Sequence, residues 1–166
     1  ASSARPISAG SYGVGASAFV AADLQQKLHR IGRISFAWSD THIMLTSAAV
    51  LSRGDVAVGI SHTGATADTV EALREARRAG ATTVALTNFP TAPISEVADL
   101  VLTTAARETT FRSGATASRI AQLTVIDCLF IGIAQRHLAG AMKALDDTRD
   151  AVGSHRLETR HDGRRK

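Results

Sequence analysis

The chain has 166 residues, of which 45% are hydrophobic and 20% are charged, as in a globular protein rather than a disordered one. This length is enough for one domain with a full core. We find no signal peptide and no apolar run that looks long enough to span a membrane, so we expect no membrane partner. The single cysteine, Cys128, lies in an apolar helical stretch, which predicts a core thiol in a reducing, cytoplasmic setting.

The net charge of +4 is concentrated at the end of the chain. Between Ala151 and Lys166 there are five basic and two acidic residues, which leaves the body with almost no net charge. A basic tail can touch nucleic acid, but a solvated, frayed terminus is the interpretation that we prefer. We therefore predict one domain over 7–152 and a basic, flexible tail over 153–166.

Taken in order, the chain alternates between short apolar runs and stretches with helical spacing. Strands are predicted at 7–12, 34–38, 55–60, 82–86 and 99–103, the first of them irregular because it contains a glycine and follows a proline. Helices are predicted at 18–31, 41–51, 67–79, 94–98, from 114 or 115 to 137, and at 141–152. This alternation predicts a three-layer αβα sandwich with a five-stranded parallel sheet.

The most informative stretch follows the third strand and reads Ser-His-Thr-Gly-Ala-Thr, from Ser61 to Thr66. It joins a buried strand to the start of a helix, whose first amides have no partner within the helix and carry partial positive charge. Hydroxyl donors and a glycine at such a place suit a phosphate group. The alternative is an ordinary helix N-cap by Thr66, with nothing bound.

A glycine-rich turn, Gly13 to Ser17, follows the first strand. A strand order of 2-1-3-4-5 would bring this turn and the Ser61–Thr66 turn to one crevice. The turn lacks the third glycine of a dinucleotide fingerprint, since Ala18 occupies that position, and the chain has no GKS or GKT sequence. The histidines show no metal-ligand spacing. We therefore expect no nucleotide cofactor and no metal.

The long helix after residue 114 is apolar around most of its circumference. One stripe comprises Ile120, Leu123, Ile126, Phe130 and Ile133. A helix of this kind is buried on more than one side, and a second subunit is the simplest cover for the side away from the sheet, which predicts a homodimer or higher homo-oligomer. The alternative is that the helix at 141–152 folds back over it.

Together, these stretches resemble a known family. The segments GVGASAFVAADLQQKLHRIG at 13–32 and DVAVGISHTGATADTVEALREARRAGATTVALTN at 55–88 are similar to the sugar isomerase (SIS) domain. The segment ETTFRSGATASRIAQLTVIDCLF at 108–130 resembles the subgroup found in RpiR/MurR-type bacterial transcription regulators. The resemblance covers roughly 7–152, and it implies a five-stranded αβα sandwich, dimerisation and binding of a phosphosugar.

The resemblance also implies which residues bind the ligand. Its phosphate loop corresponds to Ser61, Thr63, Gly64 and Thr66, its glycine loop to Gly13, Gly15 and Ser17, and its acidic sugar-facing residue to Glu108. His62 is typical of the regulator form of the loop, although without the family it could equally be a solvent-exposed turn residue. For Arg112 and Arg119 we favour structural pairing with Glu108 or Asp127 over ligand contact.

The predicted function is therefore that of a phosphosugar-binding effector domain of an RpiR-like regulator, with no catalytic residue. DNA would be reached only through a helix-turn-helix domain, which this chain lacks before residue 7. The alternative is a sugar-phosphate isomerase or related lyase, which needs a general base and an acid. Glu108 could be that base, and His62 or His29 the acid. Against this, Ala16 stands where isomerases of the family often carry Lys or Arg.

Overall fold

The computed structural model describes residues 7–108 and 115–153. Five parallel strands form one sheet in the order β2-β1-β3-β4-β5. The strands are β1 Ser8–Tyr12, β2 Ile34–Trp38, β3 Val56–Ile60, β4 Thr82–Thr87 and β5 Leu100–Thr103. The αβα fold and the strand order predicted from the sequence are confirmed.

Each strand is followed by a helix that begins within a few residues of the predicted position. The helices are α1 Ala16–Arg30, α2 Thr41–Ala49, α3 Ala67–Arg78, α4 Pro93–Glu96, α5 Thr116–Arg136 and α6 Leu138–Gly153. The helix α6 begins three residues before the predicted one and ends at the first residue of the predicted tail. The rest of that tail lies outside the described residues.

Two apolar clusters lie on opposite faces of the sheet. The cluster on one face joins it to α2, α3 and α4 and contains Met44, Val70, Leu73, Ala76 and Ile94. The cluster on the other face joins it to α1, α5 and α6 and contains Val20, Leu24, Leu28, Ile60, Leu86, Ile126 and Ala141. The three predicted layers are therefore packed on both sides of the sheet.

The strand β1, the irregular one in sequence, lies inside the sheet and pairs with both β2 and β3. Its glycine has a packing reason. A Cβ atom on Gly10 would lie 2.6 Å from the hydroxyl oxygen of Tyr12, whose ring is fully buried. The absence of a side chain at Gly10 therefore makes room for an aromatic core residue two positions later.

The long helix α5 differs from its prediction. Ile126 is the only member of the predicted stripe that is fully buried, and the inward face consists of Ser118, Gln122 and Ile126. The predicted core thiol is wrong, because Cys128 is exposed on this chain. The helix α6 does pack back against α5, with Ala141 buried. The outer side of α5 nevertheless stays uncovered in the single chain, as the exposure of Ile131 shows.

The expectation that no apolar run has membrane-spanning length also needs correction. Within the described ranges, α5 is the one helix long and apolar enough to cross a bilayer by length and composition. The core helices of soluble proteins pass the same test. Because α5 packs against α1 and places Ile126 in the cluster on the sheet, we interpret it as a helix of the fold.

Candidate functional site

The two predicted loops leave the sheet from neighbouring strands. In the ladder between β1 and β3, Tyr12 is opposite Gly59, so both strands end at the same edge of the sheet. The loop at 13–17 follows β1, and the loop at 61–66 follows β3. On its other side, β1 pairs with β2. The connections that follow β1 and β3 run to opposite faces of the sheet. Open parallel sheets place their ligand crevices between two such strands.

The loop at 61–66 is organised around a pair of hydroxyls. Ser61 is only 3% exposed, and its Oγ lies 2.9 Å from Oγ1 of Thr66. The Gly64 amide donates to the same Ser61 oxygen at 3.0 Å. Only one hydroxyl proton is needed between Ser61 and Thr66, so the other remains free to be donated to a ligand.

The helix α3 begins directly after this pair. Thr66 is at the N-cap position, but its side chain makes no hydrogen bond to the first turn of the helix. Thr66 is therefore the N-cap residue, as the alternative predicted, but its hydroxyl bonds Ser61 instead of the helix amides. Among the described residues, the first amides of α3 thus have no side-chain acceptor, and they lie at the positive end of the helix dipole.

Gly64 is required by the shape of this loop. Its φ is +66°, a left-handed conformation, and a Cβ atom there would lie 2.4 Å from the Cβ of Ala92. Its carbonyl accepts a hydrogen bond from the Ile94 amide at 2.9 Å. The loop is therefore fixed against the segment that leads into α4.

His62 is partly enclosed rather than free in solvent. Its carbonyl accepts hydrogen bonds from the Asn88 amide at 3.0 Å and from the Thr87 hydroxyl at 3.2 Å. Its imidazole meets the ring of Phe89 edge-on at 5.7 Å, and its buried Nδ1 has no partner among the described residues. The backbone of His62 therefore ties this loop to the end of β4.

The glycine loop is tightly turned. A Cβ atom on Gly13 would lie 2.7 Å from the carbonyl oxygen of Ser17, a residue in the first turn of α1. Gly15 has a φ of +60°, and a Cβ atom there would meet nothing within 4 Å. The space above Gly15 is therefore open, and this leaves room for a ligand to approach the backbone.

Glu108 lies at the start of α5 rather than free in the crevice. Its Oε1 accepts a hydrogen bond from the Ser118 amide at 2.8 Å, so the carboxylate caps the helix.

Asn88, which the sequence analysis did not single out, positions the segment that precedes Glu108. The Asn88 Oδ1 accepts from the Ala106 amide at 2.7 Å and from the Thr104 hydroxyl at 3.1 Å. Its place just after β4 was the available signal.

The predicted arginine pairings are only partly testable. Arg112 lies outside the described residues. Asp127 forms an ion pair with Lys27, at 2.8 Å. The structural pairing of Arg119 with a carboxylate stays a prediction.

The two loops of the candidate site carry no lysine or arginine side chain. An anion there would therefore be held by amides and hydroxyls. Over 7–108 and 115–153, no group of three His, Cys, Asp or Glu residues could hold a metal ion.

Comparison with known proteins places this fold in a family. The profile of the SIS domain matches residues 9–132. An uncharacterized HTH-type transcriptional regulator, TTE0211, from Caldanaerobacter subterraneus subsp. tengcongensis is 47% identical over 146 residues, or 88% of this chain and 52% of that protein. The chain thus spans about half the length of this relative.

Two solved structures are also similar. The Vibrio vulnificus NanR protein complexed with ManNAc-6P aligns with a TM-score of 0.85 and 28% identity, covering 92% of this chain and 58% of that one. The sugar isomerase domain of the RpiR transcription factor from Sphaerobacter thermophilus aligns with a TM-score of 0.77 and 28% identity, covering 88% and 80%. The chain belongs to the SIS domain family, and its homologues are HTH-type transcriptional regulators of the RpiR kind.

Proposed function

We propose that this chain is the phosphosugar-sensing effector domain of an RpiR-like transcriptional regulator. The observation that carries the proposal is the Ser61–Thr66 hydroxyl pair, which leaves the first amides of α3 without a side-chain cap. A phosphate group at this place would accept those amides and the spare hydroxyl proton.

The polar groups around the two loops support a phosphosugar rather than a bare phosphate. The phosphate would sit over the loop at 61–66, and the sugar would extend toward the glycine loop and Glu108. The open space above Gly15 supports close approach of the ligand there. The similar NanR structure is of a protein in complex with ManNAc-6P, which supports the same ligand class.

An isomerase is the rival function, and the positions of Glu108 and of His29, one of its two candidate acids, argue against it. The Glu108 carboxylate accepts the Ser118 amide at 2.8 Å, so it is engaged in capping α5. The Nε2 atom of His29 lies 2.7 Å from the Ser35 carbonyl, near the start of β2. Since parallel strands end at the opposite edge, His29 lies at the wrong end of the sheet to be the acid.

The regulator we propose works as a dimer in the cytoplasm, with DNA contacted by a part of the protein outside this chain. Ile120 is 60% exposed and Ile131 is 52% exposed on the outer side of α5, and a second copy would bury this surface. A ligand that binds two dimer arrangements with different affinity would shift the balance between them.

The test is thermal unfolding and calorimetry with a panel of hexose, N-acetylhexosamine and pentose phosphates and their unphosphorylated parents. A true ligand raises the unfolding midpoint as its concentration rises. The Ser61→Ala/Thr66→Ala double variant should lose this response. Thr82→Ala, an exposed threonine at the opposite edge of the sheet, is the matched control and should keep it.

Two results would contradict the proposal. A panel in which no phosphate compound shifts the midpoint would remove the phosphosugar site. Conversion of a bound aldose phosphate to its ketose, seen by NMR of the recovered ligand, would favour the isomerase instead.

A further inference from the structure

One buried polar side chain on α5 has no explanation in the packing of the protein. Gln122 is only 2% exposed, and its Nε2 atom has no hydrogen-bond partner within the described part of the chain. Burying an amide donor without a hydrogen-bond acceptor to replace water destabilises the folded protein. Native proteins rarely keep such a group without a role.

The position of Gln122 along α5 points to the candidate site. Ser118, Gln122 and Ile126 are four residues apart, so they share one face of the helix, and all three are buried. At one end of this row, the Ser118 amide bonds Glu108. Gln122 is one helical turn further along the same face.

At the other end of the row, Ile126 belongs to the buried cluster that contains Ile60 and Leu86. Ile60 is the last residue of β3 and directly precedes Ser61 in the phosphate loop. Gln122 therefore lies on the buried face of α5, between the residue that bonds Glu108 and the residue that shares a cluster with Ile60. This face of the helix runs from the Glu108 cap to the core under the strand that leads into the loop at 61–66.

We infer that Gln122 is a specificity-determining residue whose side-chain amide donates to a neutral oxygen, a hydroxyl or carbonyl, on the sugar part of the bound ligand. This inference rests on the proposed function. Different groups then bind the two parts of the ligand. The α3 amides and the hydroxyl pair bind the phosphate, and the Gln122 amide binds the sugar. A ligand without that oxygen leaves the amide unpaired and binds more weakly.

Gln122→Met tests the inference, because methionine has a similar length and no hydrogen-bonding donor. The probes are inorganic phosphate and the tightest-binding phosphosugar of the panel, measured by calorimetry. We expect Gln122→Met to weaken the phosphosugar about tenfold or more and to leave the affinity for inorganic phosphate unchanged. Without ligand, its unfolding midpoint should be equal to or above that of the natural chain.

The matched control is Gln135→Met, the same substitution at an exposed position near the end of α5. It should change neither affinity. If Gln122→Met fails to fold, Gln122→Asn keeps the amide and withdraws it by one methylene, and the same selective loss of phosphosugar affinity is expected.

The possible outcomes separate the two proposals. Unchanged phosphosugar affinity in Gln122→Met overturns the role of Gln122 and leaves the sensor function intact. Equal losses for phosphosugar and phosphate also overturn it, since they indicate a general distortion of the site. If the natural chain binds no phosphosugar, both proposals fail.

Discussion

The hydroxyl oxygens of Ser61 and Thr66 lie 2.9 Å apart, and this bond keeps the Thr66 side chain off the first turn of α3. A threonine at an N-cap ordinarily satisfies one amide of its own helix. Here, the cap position is occupied but the helix amides are left for another acceptor. In the function that we propose, the helix gives up cap stabilisation in favour of anion binding, and substitution at Thr66 can separate the two properties.

Thr66→Asp should therefore stabilise the free protein while preventing phosphosugar binding. Its carboxylate can accept the α3 amides and is favoured by the helix dipole, which together raise the free energy of unfolding by about 1 kcal/mol. The same negative charge would repel a phosphate. Thermal unfolding with and without the phosphosugar measures both effects.

Thr66→Ser keeps the hydroxyl and is the control, with ligand response and midpoint close to those of the natural chain. A Thr66→Asp variant that still binds the phosphosugar as tightly would mean that the phosphate does not sit at the start of α3.

Gly64→Ala should destabilise the fold as well as the site. The new Cβ would lie 2.4 Å from the Cβ of Ala92 and 2.8 Å from Oγ1 of Thr87, at a φ of +66° that alanine adopts poorly. Overpacking and backbone strain together predict a loss of about 3 kcal/mol in the free energy of unfolding, measurable by urea titration.

Gly54→Ala separates the two contributions. Gly54 has a φ of +97° but nothing within 4 Å of its virtual Cβ, so only backbone strain applies, about 1 kcal/mol. Equal losses in the free energy of unfolding for the two variants would mean that close packing does not require a glycine at position 64 of the loop at 61–66.

The sheet was predictable from sequence because its signals are local. Strands buried on both faces give continuous apolar runs, and the turn residues between them mark where each one ends. The candidate site could be proposed from sequence for the same reason, since the loop at 61–66 is one contiguous segment. The pairing of Ser61 with Thr66 was not, because a hydroxyl at an N-cap position can bond either its own helix or a neighbouring side chain.

Features that depend on packing between distant segments were not predictable. The apolar stripe suggested that Ile120 faces the core, but the polar residues Ser118 and Gln122 face inward instead. Hydropathy alone therefore gives the wrong face for a helix that is apolar on several sides. Asn88 could be placed after β4 from sequence, but its hydrogen bonds from Thr104 and Ala106 could not, because they join segments that are distant along the chain.

Asp99 should contribute to stability at neutral pH but not in strong acid. The amide and the hydroxyl of Thr83 both donate to the Asp99 carboxylate, each at 2.9 Å. These bonds, the amide's first, lower the pKa of Asp99 from its ordinary value of 3.8, and the charge of Arg77 makes a smaller contribution. A depressed pKa means that the stabilisation is present above pH 3.8 and is lost as the pH falls through the folded-state pKa.

Asp99→Asn should therefore lower the unfolding midpoint at pH 7, and the difference from the natural chain should shrink below about pH 4. We expect about 1 kcal/mol at most, since the side chain is partly exposed. Asp146→Asn, on the exposed side of α6, serves as the comparison. A difference that is the same at pH 3 and pH 7 would show that the Asp99 charge is not what stabilises this corner.

The outer side of α5 gives the last prediction, on the assembly. If two copies bury this surface, the natural chain should sediment at twice its 17.4 kDa mass. The double variant Ile120→Lys/Ile131→Lys should sediment at the mass of one chain, because two buried cations per copy are not tolerated without partners.

Cys128 is a second probe of the same dimer, since it is exposed on the single chain and would be covered in the dimer. Its reaction with a maleimide should slow as protein concentration rises and should be fast in the double variant. Val50→Lys, at an equally apolar and 76% exposed position after α2, is the control and should leave the mass unchanged. A natural chain that sediments as a monomer with rapidly labelled Cys128 would contradict the dimer through α5.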